Sequence, residues 1–192
     1  MKVTTGIPDA NRAEAAALYW DAFGEKLGFT LGPKYRALIF ITQVLRSDHG
    51  ICAFGDDGRL LGVAGFKTKH GALVGGGFHD IRRVYGWVGA SIRIMLLASL
   101  ERDVENDRFL MDGIFVAPES RGKGVGTALL KAVYAEARAR GYQQVRLDVI
   151  DTNPRARALY LQEGFKELGT RQVGIMRYIF GFSASTAMIR DV

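Results

Sequence analysis

The sequence predicts a mixed α/β fold, with one central sheet and helices on both of its faces. The first observation is in residues 109–150, where an apolar strand, a glycine-rich turn, an amphipathic helix and an alternating strand follow one another. That order is typical of a right-handed crossover between parallel strands. The second observation is the pair of apolar runs 50–54 and 60–66, which are separated by GDDGR, turn residues that usually join antiparallel strands. A sheet that holds both kinds of connection is mixed.

The start of the chain is predicted to form a short strand and two helices. Residues 2–7 favour the strand, and Pro8-Asp9 supplies a turn and a candidate N-cap before a stretch of high helix propensity. Gly24 and Gly28 are expected to interrupt this first helix. A second helix is predicted from residue 34 to about residue 45.

The stretch after the hairpin predicts an inserted helix near residues 80–104. Its apolar residues, among them Ile81, Val84, Val88 and Ile92, recur at spacings of three and four. We expect this helix to pack on the sheet, with a homodimer contact as the second interpretation and a lid over a binding site as the third. The uninterrupted apolar length is below the roughly 20 residues that a bilayer requires, which argues against a membrane span.

The last third of the chain continues the alternation of helices and strands. A helix is predicted from Thr127 to Arg140, followed by a strand over 143–150. Asn153 is the expected N-cap of another helix, and residues 165–190 indicate two strands with an irregular connection. Because no repeat or linker is found, residues 1–192 are predicted to form a single domain.

Composition narrows the class of function. A net charge of +6 suits an anionic ligand. The chain has no dense run of basic residues, which argues against nucleic-acid binding. The single cysteine, Cys52, lies in an apolar run and is expected to be a buried, unreactive residue. The N-terminus lacks the apolar segment of a signal peptide, so we expect a cytoplasmic protein.

No metal site is expected from the histidines. His49, His70 and His79 have no second ligand at a metal-binding spacing. We therefore expect all three to be surface or capping residues.

The glycine-rich turn RGKGVG, residues 121–126, has the features of a pyrophosphate cradle. Its glycines allow close approach of an anion, it leads into a helix N-terminus, and Arg121 and Lys123 add positive charge. A Walker loop would need Ser or Thr after Lys123, where the chain has Gly124. A dinucleotide fingerprint would need a glycine in place of Thr127. Both of these nucleotide loops are excluded.

RGKGVG after a V-x-P strand end resembles motif A of the GNAT superfamily of N-acetyltransferases, and NPRARALYLQEGF, residues 153–165, resembles its motif B. The resemblance is strongest over 110–165. It implies a mostly antiparallel sheet of about seven strands, in which a central parallel pair splays apart around acetyl-CoA. It also implies direct transfer of an acetyl group to a primary amine of a small molecule or peptide, without a metal. The alternative is a non-catalytic acyl-CoA-binding or regulatory module of the same fold.

The resemblance also implies which residues hold the cofactor. The strand before the loop would offer main-chain groups to the pantetheine arm, and the loop would bind the pyrophosphate. The residues concerned are Ile114, Phe115, Val116, Arg121, Gly122, Lys123, Gly124, Val125, Gly126, Thr127 and Asn153.

Three side chains are candidates for the chemistry. Tyr160, two helical turns beyond Asn153, is predicted to protonate the departing thiolate, with a tyrosine packed in the core as the alternative. Asp148 lies within an apolar strand, where burial would raise its pKa towards that of a useful base. Asp112 is the rival base, expected on the same face of its strand as Ile114. The choice between them, or a water relay, stays open.

Overall fold

A single sheet runs through the structure, a computed structural model that describes residues 1–100, 108–174 and 177–192. Its strand order is β1-β2-β3-β5-β6-β8-β7, with the short β4 paired to β3. Every described pairing is antiparallel except that of β5 with β6, so the predicted mixed sheet is confirmed. The strands are β1 (Lys2–Thr5), β2 (Gly50–Phe54), β3 (Leu60–Thr68), β4 (Gly71–Ala72), β5 (Phe109–Val116), β6 (Gln144–Ile150), β7 (Lys166–Gln172) and β8 (Ala184–Asp191).

Helices cover both faces of this sheet, as predicted. On one face, α1, α2 and α3 bury what we call the α1-side core, which includes Leu31, Phe40, Ile41, Val63 and Phe115. On the other face, α4 and α5 bury the α4-side core, which includes Leu129, Val133, Val145, Leu147 and Tyr160. The helices are α1 (Arg12–Leu31), α2 (Lys34–Val44), α3 (Phe78–Leu100), α4 (Val125–Ala139), α5 (Pro154–Gln162) and the single turn α6 (Arg177–Phe180).

The parallel strands β5 and β6 are joined at one end only. Phe109 pairs with Val145 and Leu110 pairs with Arg146, and no later residue of β5 is paired with β6. The strands therefore diverge towards the end that leads into the glycine-rich loop. This is the splayed central pair that the resemblance implies.

The first helix is longer than predicted, since α1 passes through both Gly24 and Gly28 without a break. Helix packing outweighs the cost of each glycine, about 1 kcal/mol relative to alanine. Similarly, α4 begins at Val125 rather than at Thr127, because Gly126 adopts the helical conformation despite its low propensity.

The inserted helix near residues 80–104 is confirmed as α3, Phe78–Leu100, while residues 101–104 lie outside the described part of the chain. Gly86 interrupts its helical geometry, with φ 73° and ψ 178°. This break changes the helical phase, so Ile81 is buried while Val88 and Ile92 are exposed. The buried side of α3, which includes Ile81, Tyr85 and Ala90, packs mainly against α2 and α1.

Across the described ranges, no helix has the length and apolarity that a bilayer crossing requires.

The expectation of a surface position is wrong for His49 and confirmed for His70 and His79, which are exposed. His49 is buried, with Nε2 3.0 Å from Oγ1 of Thr68 and Nδ1 2.9 Å from Oδ1 of Asp48. Nε2 thus has a buried hydrogen-bond partner, while Nδ1 lies against a carboxylate that is itself largely exposed to solvent. Cys52 is fully buried, as predicted.

Candidate active site

The glycine-rich loop leads from β5 into α4 through two left-handed residues. Gly122 has φ 75° and Gly124 has φ 77°. No atom lies within 4 Å of the place that a Cβ would take at either position, so the backbone conformation, rather than crowding, requires glycine there. Gly126 differs, because its missing Cβ would lie 3.1 Å from Cδ2 of Leu159 and would crowd that side chain of α5.

The loop presents a run of backbone N–H groups. Within the described part of the chain, no backbone carbonyl accepts a hydrogen bond from the N–H of residues 122 to 127, and the first such bond is from Ala128 N to Gly124 O, at 3.0 Å. These donors lie at the N-terminus of a helix of 15 residues. Together they form a site that attracts an anion.

The two cationic side chains of the loop are exposed beside these donors. Arg121 also connects the loop to the end of β5, since its Nε donates a hydrogen bond to the carbonyl oxygen of Val116 at 3.2 Å. Lys123 is exposed. The loop therefore combines N–H donors with exposed positive charge, the combination that suits a diphosphate.

The open side of β5 lies next to the loop. Ile114, Phe115 and Val116 pair with β3 on one side, while the side towards β6 has no strand partner. The side chains of Ile114 and Val116 pack on the α4-side core and that of Phe115 on the α1-side core. Main-chain groups on this open side of β5 are thus available to an extended ligand in the gap, apart from the Val116 carbonyl oxygen, which accepts from Arg121.

Tyr160 lies in α5 and is buried in the α4-side core, with its ring 5.7 Å from that of Phe165, centroid to centroid. Burial raises the pKa of Tyr160 well above the ordinary value of a phenol, and the nearby Tyr134 raises it further. Tyr160 is therefore a neutral phenol across the physiological pH range. Asn153 caps the same helix, since its Oδ1 accepts from the N–H of Ala156 at 3.1 Å.

A β-bulge corrects the expected orientation of Asp112. Gly65 pairs with Gly113 and Phe66 pairs with Met111, so Asp112 is the extra residue in β5. Residues on both sides of the bulge, Met111 and Ile114, contact the α4-side core. Asp112 lies between them on the opposite, α1 side, and the expectation that it shares a face with Ile114 was wrong because the bulge shifts the alternation by one residue.

Asp148 is on the same side of the sheet as Asp112. Its strand neighbours Leu147 and Val149 are buried in the α4-side core, so the alternation of β6 directs Asp148 away from that core. Oδ1 of Asp148 lies 3.9 Å from Nη2 of Arg146, and only 7% of the Asp148 side chain is exposed. The structure thus brings the two candidate bases to one side of the splayed pair, and it places a cation beside Asp148.

Helix α1 contributes aromatic residues that the sequence did not identify as part of the site. The ring of Tyr19 lies 5.6 Å from that of Phe115, and the charge of Asp112 acts on its hydroxyl. Phe23 covers Gly113, because the place of a Cβ on Gly113 lies 2.7 Å from Cζ of Phe23. In the sequence, only Gly113 indicated such a contact. A glycine inside a strand often marks a position where another group packs closely against the backbone.

Comparison with known proteins places this geometry in a family. Residues 13–165 match the family model described as acetyltransferase (GNAT) family. Thialysine N-epsilon-acetyltransferase of Bos taurus is 41% identical over 58 residues, which is 30% of this chain and 34% of that protein. Streptothricin acetyltransferase of Streptomyces lavendulae is 33% identical over 87 residues, 45% of this chain and 46% of that protein. The chain thus spans a third to a half of the length of these curated relatives.

The likeness in three dimensions covers the whole chain. A GNAT superfamily phosphinothricin acetyltransferase from Sinorhizobium meliloti, solved in complex with AcCoA, superposes with a TM-score of 0.57 at 18% identity, covering 100% of this chain and 88% of that one. At this low sequence identity, the structural likeness shows a common fold only. Because the family model spans residues 13–165, the chain belongs to the acetyltransferase (GNAT) family.

Proposed function

We propose that this protein transfers an acetyl group from acetyl-CoA to a primary amine, directly within a ternary complex. The observation that carries the proposal is the run of N–H donors at residues 122 to 127, next to the open side of β5. An anion site beside an open strand edge suits a ligand that has a diphosphate at one end and amide groups along an extended arm.

The residues present fit acetyl-CoA. The loop would hold the diphosphate through N–H groups and through Arg121 and Lys123, and β5 would hold the pantetheine amides through main-chain groups of Ile114 and Val116. Asn153 lies at the start of α5, close in sequence to the end of β6 on the other side of the gap. When bound, acetyl-CoA supplies an activated acyl group and a thiolate leaving group.

Tyr160 is proposed as the proton donor. Its phenol stays protonated at neutral pH because burial raises its pKa, so it carries a proton at Oη wherever the reaction develops negative charge. No hydrogen bond from this hydroxyl to another residue is found among the described residues, which leaves the proton for a ligand.

Asp112 is proposed as the carboxylate that accepts the proton of the amine, directly or through water. Its side chain is exposed at the bulge, where an acceptor can arrive from solvent. Asp148 is nearly enclosed and lies beside Arg146, so we assign it to holding the geometry of β6. Replacement of each carboxylate by its amide, Asp112→Asn and Asp148→Asn, separates their roles.

The acceptor is proposed to be a small molecule with a primary amine. The names of two relatives, thialysine N-epsilon-acetyltransferase and streptothricin acetyltransferase, support this class. A peptide N-terminus, a lysine side chain, a polyamine, an aminoglycoside and an amino-acid-like metabolite form the panel for a thiol-release screen.

Binding of acetyl-CoA is the first test, with Gly124→Val as the probe of the loop. Acetyl-CoA at a hundred times its Kd should stabilise the wild type by about 2.7 kcal/mol, roughly a 5 to 11 °C rise in Tm. Gly124→Val should lose this shift, because a β-branched residue is strained at a φ of 77° and its side chain enters the anion site. Differential scanning fluorimetry measures both.

Gly141→Val is the matched control. Gly141 has φ 81° and open space around its missing Cβ, as Gly124 does, but it follows the other end of α4. It should lose similar intrinsic stability and keep the acetyl-CoA shift. A normal shift in Gly124→Val would refute the cradle, and a wild type with no shift would refute the cofactor. Binding without turnover of any amine would favour the non-catalytic module instead.

A further inference from the structure

Tyr19 is held in a fixed place on the α1 side of the bulge. Its ring packs against those of Phe23, at 4.8 Å, and Phe115, at 5.6 Å, between centroids. Phe23 in turn contacts Phe115 at 6.1 Å and fills the space above Gly113. Helix α1 is therefore packed against the bulge through aromatic rings. This packing fixes where Tyr19 lies on the side of the sheet that carries Asp112.

The protonation state of Tyr19 is also fixed. Burial raises the pKa of Tyr19, and the charge of Asp112 raises it further, so its hydroxyl stays protonated at physiological pH. A protonated phenol offers one proton and retains lone pairs that can accept a hydrogen bond from another donor. Asp112, beside it, is exposed. Tyr19 itself is only half-buried, so a donor that reaches the exposed carboxylate from solvent can also meet the phenolic oxygen.

We propose that Tyr19 determines specificity by accepting one N–H of the acceptor amine while Asp112 accepts the other. This inference rests on the proposed function. A neutral primary amine has two N–H groups and one lone pair, so two acceptors orient the nitrogen and leave its lone pair for attack. A secondary amine has only one N–H and can satisfy only one of them. The site should therefore prefer primary amines to their N-methyl derivatives.

The experiment compares Tyr19→Phe with the wild type in a thiol-release assay. The probes are the most active primary amine of the screen and its N-methyl derivative. Tyr19→Phe keeps the ring contacts and removes only the hydroxyl, so the KM of the primary amine should rise about tenfold, the effect of one hydrogen bond. The KM of acetyl-CoA should stay unchanged, and the preference for the primary over the N-methyl amine should shrink.

Two further variants sharpen the comparison. Tyr35→Phe makes the same chemical change at an exposed tyrosine of α2 and should alter none of the three quantities. In an Asp112→Asn background, adding Tyr19→Phe should have a smaller effect than in the wild type, because both residues hold the same nitrogen.

Three other outcomes would contradict the proposed role of Tyr19. An unchanged amine preference in Tyr19→Phe overturns it and leaves the proposed function intact. Equal losses of affinity for acetyl-CoA and for the amine would assign Tyr19 to packing alone. A wild type that binds acetyl-CoA but acetylates no amine overturns the proposed function, and this inference with it.

Discussion

At the scale of single residues, Tyr160 combines burial with a proton that a reaction can use. Because its pKa is raised, the phenol loses its proton only above the usual pH range of tyrosine. Activity that depends on this proton is fully present below that range and is lost as the pH rises through the raised pKa. A fall in rate between pH 7 and 9 would therefore belong to another group.

Replacement of Tyr160 by phenylalanine tests its role as the acid. The ring keeps its contact with Phe165, so folding should be retained, while kcat should fall by roughly a hundredfold, as is typical for the loss of an acid–base group. Tyr134→Phe is the control, since Tyr134 is a buried tyrosine whose ring also lies close to that of Phe165, at 6.2 Å. Steady-state thiol release from pH 6 to 10 measures both. Equal behaviour of the two variants would mean that Tyr160 only packs.

The sequence identifies site residues well where their signal is local. The glycines of the loop and Asn153 are recognisable because spacing along the chain determines their geometry. The orientation of Asp112 is not recognisable, since a bulge adds one residue to a strand without requiring a particular residue type. Tyr19 gave no signal either, because its contact with β5 depends on how α1 packs on a strand that lies far along the chain.

At the scale of elements, the glycines of α1 and α3 have opposite effects that composition does not reveal. Gly28 has ordinary helical geometry with open space around it, and α1 continues through it. Gly86 also has open space, but its φ of 73° and ψ of 178° belong to a region that only glycine populates readily. In the sequence, both are glycines within a helical pattern, and the pattern does not show which backbone conformation each adopts. A break was therefore expected at Gly28 and missed at Gly86.

Alanine at these two positions should therefore change stability in opposite directions. Gly28→Ala should raise the free energy of unfolding by about 0.5 to 1 kcal/mol, because alanine favours the helix. Gly86→Ala should lower it by roughly 1 to 3 kcal/mol, because the residue is forced into a strained conformation. Urea unfolding followed by circular dichroism compares the midpoints. Stabilisation by Gly86→Ala would show that α3 is not broken at this residue.

At the scale of the whole molecule, the reactivity of the Cys52 thiol measures how far the α1-side core is accessible to solvent. Cys52 lies in the α1-side core, and burial raises the pKa of its thiol to about 12, with a smaller contribution from Glu14. Because only the thiolate reacts, the native protein has little reactive sulfur at pH 8, and the deprotonated fraction grows only as the pH approaches that raised pKa.

Alkylation of Cys52 should therefore be slow and should require opening of the fold. With iodoacetamide at pH 8, the native chain should react at least a hundred times more slowly than a free cysteine derivative, and saturating acetyl-CoA should slow it further, since the ligand stabilises the closed state. Mass spectrometry gives the labelled fraction with time. Complete labelling of folded protein within minutes would show that this core is open to reagent.

The divergence of β5 from β6 has a consequence for how the molecule holds together. Within the described residues, the sheet consists of two halves, β1-β2-β3-β5 and β6-β8-β7, which share only the pairs Phe109–Val145 and Leu110–Arg146. In the proposed complex, a ligand in the gap would contact both halves and would supply hydrogen bonds where strand pairs are missing. Acetyl-CoA would then be a structural component as well as a substrate, and the cohesion of the sheet would rise and fall with each catalytic cycle.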